Sequence, residues 1–214
     1  MIKLSSSEEE TTEFLISIWD KFKYLILLGV VLVVGGILVW ESWLDSKVEN
    51  QQLASDLYEN FIDERSRADG NPTILANEII KTFPDTLYAD LVTFHLAKLQ
   101  VDKSNFTEAE KYLHWILKKH SSKWSKSFDP IEVTARQRLA RVLLANNKPE
   151  ESLDLIKNAA SLNNILYEIK GDALQELGLS KEARLSYLQA IESTQSQSIQ
   201  TLLKMKLADL EIKN

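Results

Sequence analysis

Residues 24–40 read Tyr-Leu-Ile-Leu-Leu-Gly-Val-Val-Leu-Val-Val-Gly-Gly-Ile-Leu-Val-Trp, a run of 17 residues without a charge, a proline or a side-chain amide. At about 1.5 Å of rise per residue, a helix of this length just crosses a hydrocarbon core of roughly 30 Å. The alternative is the buried core helix of a soluble protein, but such a helix normally keeps a polar stripe, and this run has none. The run therefore predicts a membrane-spanning helix.

Aromatic residues flank this run on both sides. Trp19 and Tyr24 lie at its start, and Trp40 and Trp43 lie at its end, as amphipathic rings do at the headgroup level of a bilayer. A cleaved signal peptide is a second alternative, but cleavage needs small residues where this chain has Trp-Glu-Ser-Trp-Leu. We therefore predict a single N-terminal transmembrane helix, an uncleaved signal anchor at residues 24–43.

The lysines predict how this anchor is oriented. Lys21 and Lys23 directly precede the helix, whereas the first cation after it is Lys47. Positively charged residues next to a membrane helix are retained in the cytoplasm. The sequence therefore predicts a cytoplasmic tail at residues 1–23 and a periplasmic domain at residues 44–214 of a single-pass protein in a bacterial inner membrane.

Composition restricts the kinds of partner and site. The formal net charge is -6, the sequence pI is about 5.2 and there is no cysteine. Nucleic acid is not expected as a partner, because phosphate binding needs a basic face. Disulfides and zinc–thiolate sites are excluded. The acidic run at residues 8–10 is typical of a solvated, disordered tail.

The remaining sequence predicts an all-α domain. Glycine and proline are sparse, at six and four residues, and no stretch alternates apolar and polar residues as a strand does. The helical pattern of residues 41–67 continues from the anchor. Further helices are predicted over residues 73–82, 86–101, 105–119, 131–145, 150–160, 163–177, 181–193 and 198–210.

Three helix boundaries carry specific predictions. Gly70 is expected to permit a left-handed turn. Asn105 and Glu108 have the spacing of a capping box, in which side chains bind the first amides of a helix. Asp129 is expected to cap the helix that begins with Pro130.

Three consecutive helix pairs share one spacing of small and apolar residues. In the third pair, Gly171 is followed by Ala183, Tyr187 and Ala190. The corresponding residues are Ala140, Ser152, Ile156 and Ala159 in the second pair, and Ala97, Ala109, Leu113 and Ile116 in the first. This spacing resembles the tetratricopeptide repeat, in which small residues let two helices approach closely and an aromatic residue fills the seam.

The spacing between pairs is irregular. Ala97, Ala140 and Gly171 are 43 and 31 residues apart, against about 34 in the standard repeat. The longer gap contains a Ser/Lys-rich insertion at residues 121–128. We predict an α-solenoid of tetratricopeptide-like helix pairs, and a generic antiparallel helical array with alanine at its crossings remains the alternative.

The combination of features is more specific than the repeats. The anchor ends in Trp-Glu-Ser-Trp (residues 40–43), and the array contains Arg-Leu-Ala-Arg-Val (138–142) and Gly-Asp-Ala-Leu (171–174). With the short N-terminal stub, this pattern resembles the YfgM family, the ancillary SecYEG translocon subunit, over nearly the whole chain. The resemblance implies an inner-membrane protein with a periplasmic tetratricopeptide-like domain that is found with the translocon and with the membrane-anchored periplasmic chaperone PpiD.

No residue pattern supports catalysis. His95, His114 and His120 are not spaced as a metal pair on one helix face, and neither a phosphate-binding loop nor a nucleophile elbow is present. No enzyme activity, metal or cofactor is therefore expected. In the repeat class, first helices line a concave surface, and the register places six residues there, which are either a peptide-binding site or ordinary surface: Phe94, Lys98, Gln137, Arg141, Glu168 and Asp172.

Two functions fit these features. The first is a non-catalytic scaffold at the SecYEG translocon that links protein export to periplasmic chaperones and contacts unfolded exported chains. The alternative is a membrane-anchored regulatory or self-associating protein that is not tied to the translocon. A stable homo-oligomer without Sec subunits would favour the alternative.

Overall fold

A computed structural model describes residues 6–67, 69–121, 129–157 and 163–212. Within these ranges the chain forms nine α-helices and no strands, so the all-α prediction is confirmed. The helices are α1 (Ser6–Ser66), α2 (Thr73–Thr82), α3 (Leu87–Asp102), α4 (Phe106–His120), α5 (Pro130–Ala145), α6 (Pro149–Lys157), α7 (Asn164–Glu176), α8 (Ser180–Glu192) and α9 (Gln197–Ile212). The chain divides into two units, Met1–Leu53 and Ala54–Asn214.

The first unit contains α1 up to Leu53, including its apolar run. Its large apolar side chains from residue 24 to residue 40 are between 46% and 76% exposed, and no side chain of its most apolar window is buried. A helix that is apolar on every side and has no protein around it is suited to lipid, because all its backbone groups are already paired. By length and composition this segment, within Lys21–Ser66, is a candidate membrane span.

The prediction of a disordered acidic tail is wrong, because α1 begins at Ser6. Extending an existing helix costs much less than nucleating one, since each added residue gains a hydrogen bond. Residues 8–10 lie within the first turns of this helix.

The second unit contains the three predicted helix pairs, α3–α4, α5–α6 and α7–α8. Each pair turns through one residue with positive φ: Ser104 (57°), Asn147 (57°) and Gly178 (74°). In each case the next amide donates to the carbonyl five residues before it, at 2.8–2.9 Å. This is the hydrogen bond of a Schellman turn. The three positions lie seven residues after Ala97, Ala140 and Gly171, so the pairs share one backbone turn.

The structure buries the residues of the shared spacing. Ala97, Ala140 and Gly171 lie on first helices, and Ala109, Ser152 and Ala183 lie opposite them on second helices. The Ser152 hydroxyl donates to the carbonyl oxygen of Ala140 at 3.0 Å, which satisfies the one polar group of this seam. Leu113, Ile116, Ile156, Tyr187 and Ala190 are also at most 2% exposed. Ala159 and residues 122–128 lie outside the described ranges.

Two of the three boundary predictions are wrong. Gly70 does not adopt positive φ; a β-carbon there would lie 1.8 Å from the backbone oxygen of Glu64, so this glycine is needed for close approach. Asn105 makes no capping hydrogen bond, because its amide donates to Gln100, while Glu108 pairs with Lys111.

The Asp129 cap is confirmed, and it belongs to a larger polar cluster. Asp129 Oδ1 accepts from the amides of Ile131 (2.8 Å) and Glu132 (3.4 Å), and its Oδ2 lies 2.7 Å from His120 Nδ1. Burial opposes ionisation of Asp129, but the hydrogen bonds from His120 and these amides outweigh it and lower its pKa. The carboxylate therefore stays ionised and holds the start of α5 to the end of α4.

Asp90 forms the buried side of the same cluster. Its carboxylate is 3% exposed, and it accepts from Lys119 Nζ at 2.8 Å and lies 3.0 Å from His120 Nε2. Lys119 also donates to the carbonyl of Thr86, the N-cap residue of α3. The cluster therefore joins the start of α3, the end of α4 and the start of α5.

Candidate functional site

The six residues predicted on a concave surface lie on α3, α5 and α7 and separate into two chemically different regions. Phe94, Lys98 and Arg141 line an apolar pocket. Glu168 and Asp172 lie in a carboxylate cluster on α7. Gln137 belongs to neither region, because its amide donates to Asn163 Oδ1, the side chain that caps α7.

The apolar pocket has a cavity volume of about 260 Å³. Its walls come from α3, α4 and α5, which places it where the first helices of two successive pairs meet. The lining residues are Phe94, Ala97, Lys98, Val101, Leu113, Arg138, Arg141 and Val142. Three of these are cations and none is a carboxylate, so the pocket combines an apolar floor with a positively charged rim.

Arg138 stacks on the aromatic floor of this pocket. Its guanidinium carbon lies 4.4 Å from the centre of the Phe94 ring, which is within the range of a cation–π contact. Desolvation lowers the pKa of Arg138, but a guanidinium remains charged in proteins. The contact holds a positive group against the aromatic floor of the pocket.

The carboxylate cluster is closed by a lysine from α9. Lys206 Nζ donates to Glu168 at 2.8 Å and to the two oxygens of Asp172 at 2.6 and 2.8 Å. Burial alone lowers the pKa of Lys206, but these hydrogen bonds outweigh it and raise the pKa. Arg141 reaches Glu168 from the other side at 3.3 Å. The negative charge of this region is thus largely neutralised within the chain.

The cluster also continues into the core of the third pair. The hydroxyl of the fully buried Tyr187 donates to Asp172 Oδ1 at 2.8 Å and lies 2.9 Å from Gln175 Oε1. Burial and the charge of Asp172 raise the pKa of Tyr187, so the hydroxyl keeps its proton. The same Asp172 therefore connects the surface cluster to the packing of α7 against α8.

The sequence spacing of the first helices extends to α9, although its Met205 is 61% exposed while Ala97, Ala140 and Gly171 are buried. Met205 lies 34 residues after Gly171, the length of about one standard repeat. Lys206 then has the same offset from Met205 as Lys98, Arg141 and Asp172 have from Ala97, Ala140 and Gly171. Its hydrogen bonds to α7 agree with this placement. Lys206 could not be predicted as a site residue because the irregular gaps of 43 and 31 residues between the repeats obscure the register.

A family model described as Tetratricopeptide repeat-like domain matches residues 17–212. The chain belongs to this family. A protein of Escherichia coli (strain K12) named Ancillary SecYEG translocon subunit is 27% identical over 188 residues, which cover 86% of this chain and 87% of that protein. A protein of the same name from Aggregatibacter actinomycetemcomitans is 25% identical over 207 residues, covering 95% and 98%. No solved structure matches the chain.

These comparisons confirm the predicted resemblance and the tetratricopeptide-like fold class. The name of both relatives describes an ancillary subunit and indicates no catalytic activity. Within the described ranges, no group of three or more His, Asp or Glu residues could hold a metal ion.

Lys206→Met in this tetratricopeptide-like array is expected to lower the free energy of unfolding by about 1.5–3 kcal/mol, since half-buried carboxylates lose a charged hydrogen-bond donor. Lys204→Met on the same helix is the matched control, because Lys204 is exposed and its change should cost at most about 0.5 kcal/mol. Urea denaturation of both variants in mild detergent, followed by circular dichroism, measures the difference. Equal losses would show that the Glu168–Asp172–Lys206 network is not stabilising.

Proposed function

We propose that this chain is a non-catalytic membrane scaffold at the SecYEG translocon. The observation that carries the proposal is the similarity, over 86% and 95% of the chain, to two proteins named as ancillary subunits of that translocon. The similarity extends over far more of the chain than any single helix pair occupies. A candidate span followed by a binding array is an arrangement suited to holding a partner beside a membrane channel.

We further propose that the array lies in the periplasm and links export to the chaperone PpiD and to unfolded exported chains. The lysines at residues 21 and 23 support this orientation, because they precede the apolar run. The pocket on α3 and α5 supports a binding role, because an apolar floor with a polar rim is typical of a peptide-recognition groove.

Affinity purification of the tagged full chain from host membranes in mild detergent tests the translocon association. We expect the SecYEG subunits to co-purify with the chain. A stable homo-oligomer without Sec subunits would contradict the proposal and favour a self-associating membrane protein.

Site-specific photocrosslinking in cells tests the chaperone link. Lys98, at the pocket, and Lys111, on α4, make a matched pair, because their side chains are 67% and 68% exposed and each pairs with a carboxylate at 2.6 Å. A photoreactive residue at position 98 should label PpiD or an exported chain, whereas one at position 111 should not. Labelling at neither position, or equal labelling at both, would contradict the use of this surface.

A further inference from the structure

The positive charge around the pocket on α3 and α5 is not neutralised by the pocket itself. Lys98 pairs with Asp102, but both side chains are more than half exposed, so water screens this pair and it contributes little. Arg141 contacts Glu168 at 3.3 Å with its own side chain 55% exposed. Neither contact prevents these cations from binding an additional anion.

Arg138 offers the strongest anion-binding group of the three. In residues 6–67, 69–121, 129–157 and 163–212, no carboxylate pairs with its guanidinium, and its described contact is the stacking on Phe94. A guanidinium that stacks by its face keeps the N–H donors of its edge for hydrogen bonds, and this planar fork matches a carboxylate. Arg138 and Arg141 are three residues apart, so they lie on the same side of α5.

The neighbouring carboxylates cannot recruit a cationic partner with the same strength. Lys206 already makes three hydrogen bonds to Glu168 and Asp172, and Arg141 adds a contact from α5. A cationic ligand would have to displace Lys206 from a partly buried site. The adjoining cavity has both Glu176 and Lys206 in its wall and is therefore of mixed charge, so the pocket beside Arg138 is the part of this surface that favours an anionic partner.

The apolar floor defines the second requirement. Phe94, Ala97 and Leu113 are between 1% and 7% exposed, and with Val101 and Val142 they surround the 260 Å³ cavity. This volume is below the roughly 300–1,000 Å³ of sites for drug-sized ligands, and it suits one large side chain. Burying that side chain supplies affinity, and the cations at the rim select what lies next to it.

We propose that the pocket binds a partner segment in which a large aliphatic or aromatic residue is flanked by Asp or Glu. The apolar side chain enters between α3 and α5, and the adjacent carboxylate pairs with Arg138 and Arg141. This inference rests on the proposed function for the presence of a peptide partner, and it adds the chemical class of segment that the partner presents.

The probes that test it are three labelled eight-residue peptides measured by fluorescence anisotropy against the full chain in mild detergent. The first has a central Leu-Phe pair flanked by aspartates, the second replaces the aspartates with lysines, and the third replaces Leu-Phe with Ser-Ser. We expect the first peptide to bind at least about tenfold more tightly than either of the others, as expected for a charged hydrogen bond or a buried apolar side chain.

Arg138→Gln and Arg141→Gln should each weaken binding of the first peptide about tenfold, and neither should weaken binding of the second, which has no carboxylate for these arginines to pair with. Arg184→Gln is the matched control, because Arg184 is an exposed arginine on α8 outside the pocket. Unchanged affinity in both pocket variants overturns the proposal, as does a preference for the lysine peptide. Binding of none of the peptides, as expected if a second copy of the chain covered the pocket, also overturns it.

Peptide binding is measured without SecYEG, so the two proposals can fail separately. If the chain binds the first peptide selectively but does not co-purify with Sec subunits, the proposed peptide specificity of the pocket stands and the proposed translocon association is contradicted. If the chain co-purifies with Sec subunits but binds no peptide selectively, the translocon association stands and the peptide specificity is contradicted.

Discussion

Asp90→Ala is expected to lower the free energy of unfolding by about 3–5 kcal/mol, the usual loss when one member of a buried ion pair is removed. The carboxylate is 3% exposed, and Lys119 and His120, which it contacts, are 19% and 17% exposed. Without Asp90, Lys119 remains partly desolvated with no anion beside it, and the contact between α3 and the end of α4 is lost.

Asp102→Ala is the matched control for this experiment. Asp102 lies on the same helix and also pairs with a lysine, but its side chain is 55% exposed. Its replacement should change stability by no more than about 0.5 kcal/mol. Urea denaturation of the full chain in mild detergent, followed by the helical circular dichroism signal, compares the two variants. Similar losses at both positions would mean that the buried cluster does not stabilise the array.

Tyr187→Ala is expected to lower the free energy of unfolding by about 3–5 kcal/mol, because it leaves a cavity where a fully buried ring packs between α7 and α8. Tyr187→Phe keeps the ring and removes only the hydroxyl that donates to Asp172, so it should cost about 0.5–1.5 kcal/mol. The two variants separate the contribution of packing from that of the hydrogen bond.

Gly171→Ala provides a sharper test of the same contact. A β-carbon at residue 171 would lie 2.4 Å from an atom of the Tyr187 ring, so Gly171→Ala alone should cost about 1–3 kcal/mol through overpacking. In the Tyr187→Ala background this cost should disappear, because the ring is gone and alanine is the better helix former. Additive losses in the double-mutant cycle would show that the two residues do not constrain each other.

The helix pairs could be predicted because their requirements are local. Small residues at fixed spacing mark helix crossings, and Gly178 marks a turn that needs positive φ. Ser104 and Asn147 adopt the same conformation at the equivalent positions, although neither is a glycine. The first two repeats therefore look degenerate in sequence while their turns are the same, since the Schellman hydrogen bond and the packing compensate for the less favourable residue.

The side-chain contacts of the candidate site could not be predicted in the same way, because they join residues that are distant in the chain. Six surface positions followed from the register, but the register does not show that Lys206 neutralises two of them or that Arg138 stacks on Phe94. Both contacts join side chains more than 30 residues apart, and each needs the folded array to bring its members together. The role of Gly70 was predicted wrongly for a different reason, because its crowding comes from the backbone of Glu64, only six residues earlier, and residue type alone does not separate close approach from positive φ.

The contact between His120 and Asp129 bears on how much the chain between α4 and α5 can vary in length. Because the 2.7 Å contact joins the end of α4 to the start of α5, and the hydrogen bonds of Asp90 hold that end of α4 to α3, the register of these helices does not depend on the length of the chain between α4 and α5. The entropic cost of closing a longer loop rises only slowly with length. Lengthening the chain between His120 and Asp129, by a tag or a reporter domain, is therefore expected to leave the contact between α4 and α5 in place.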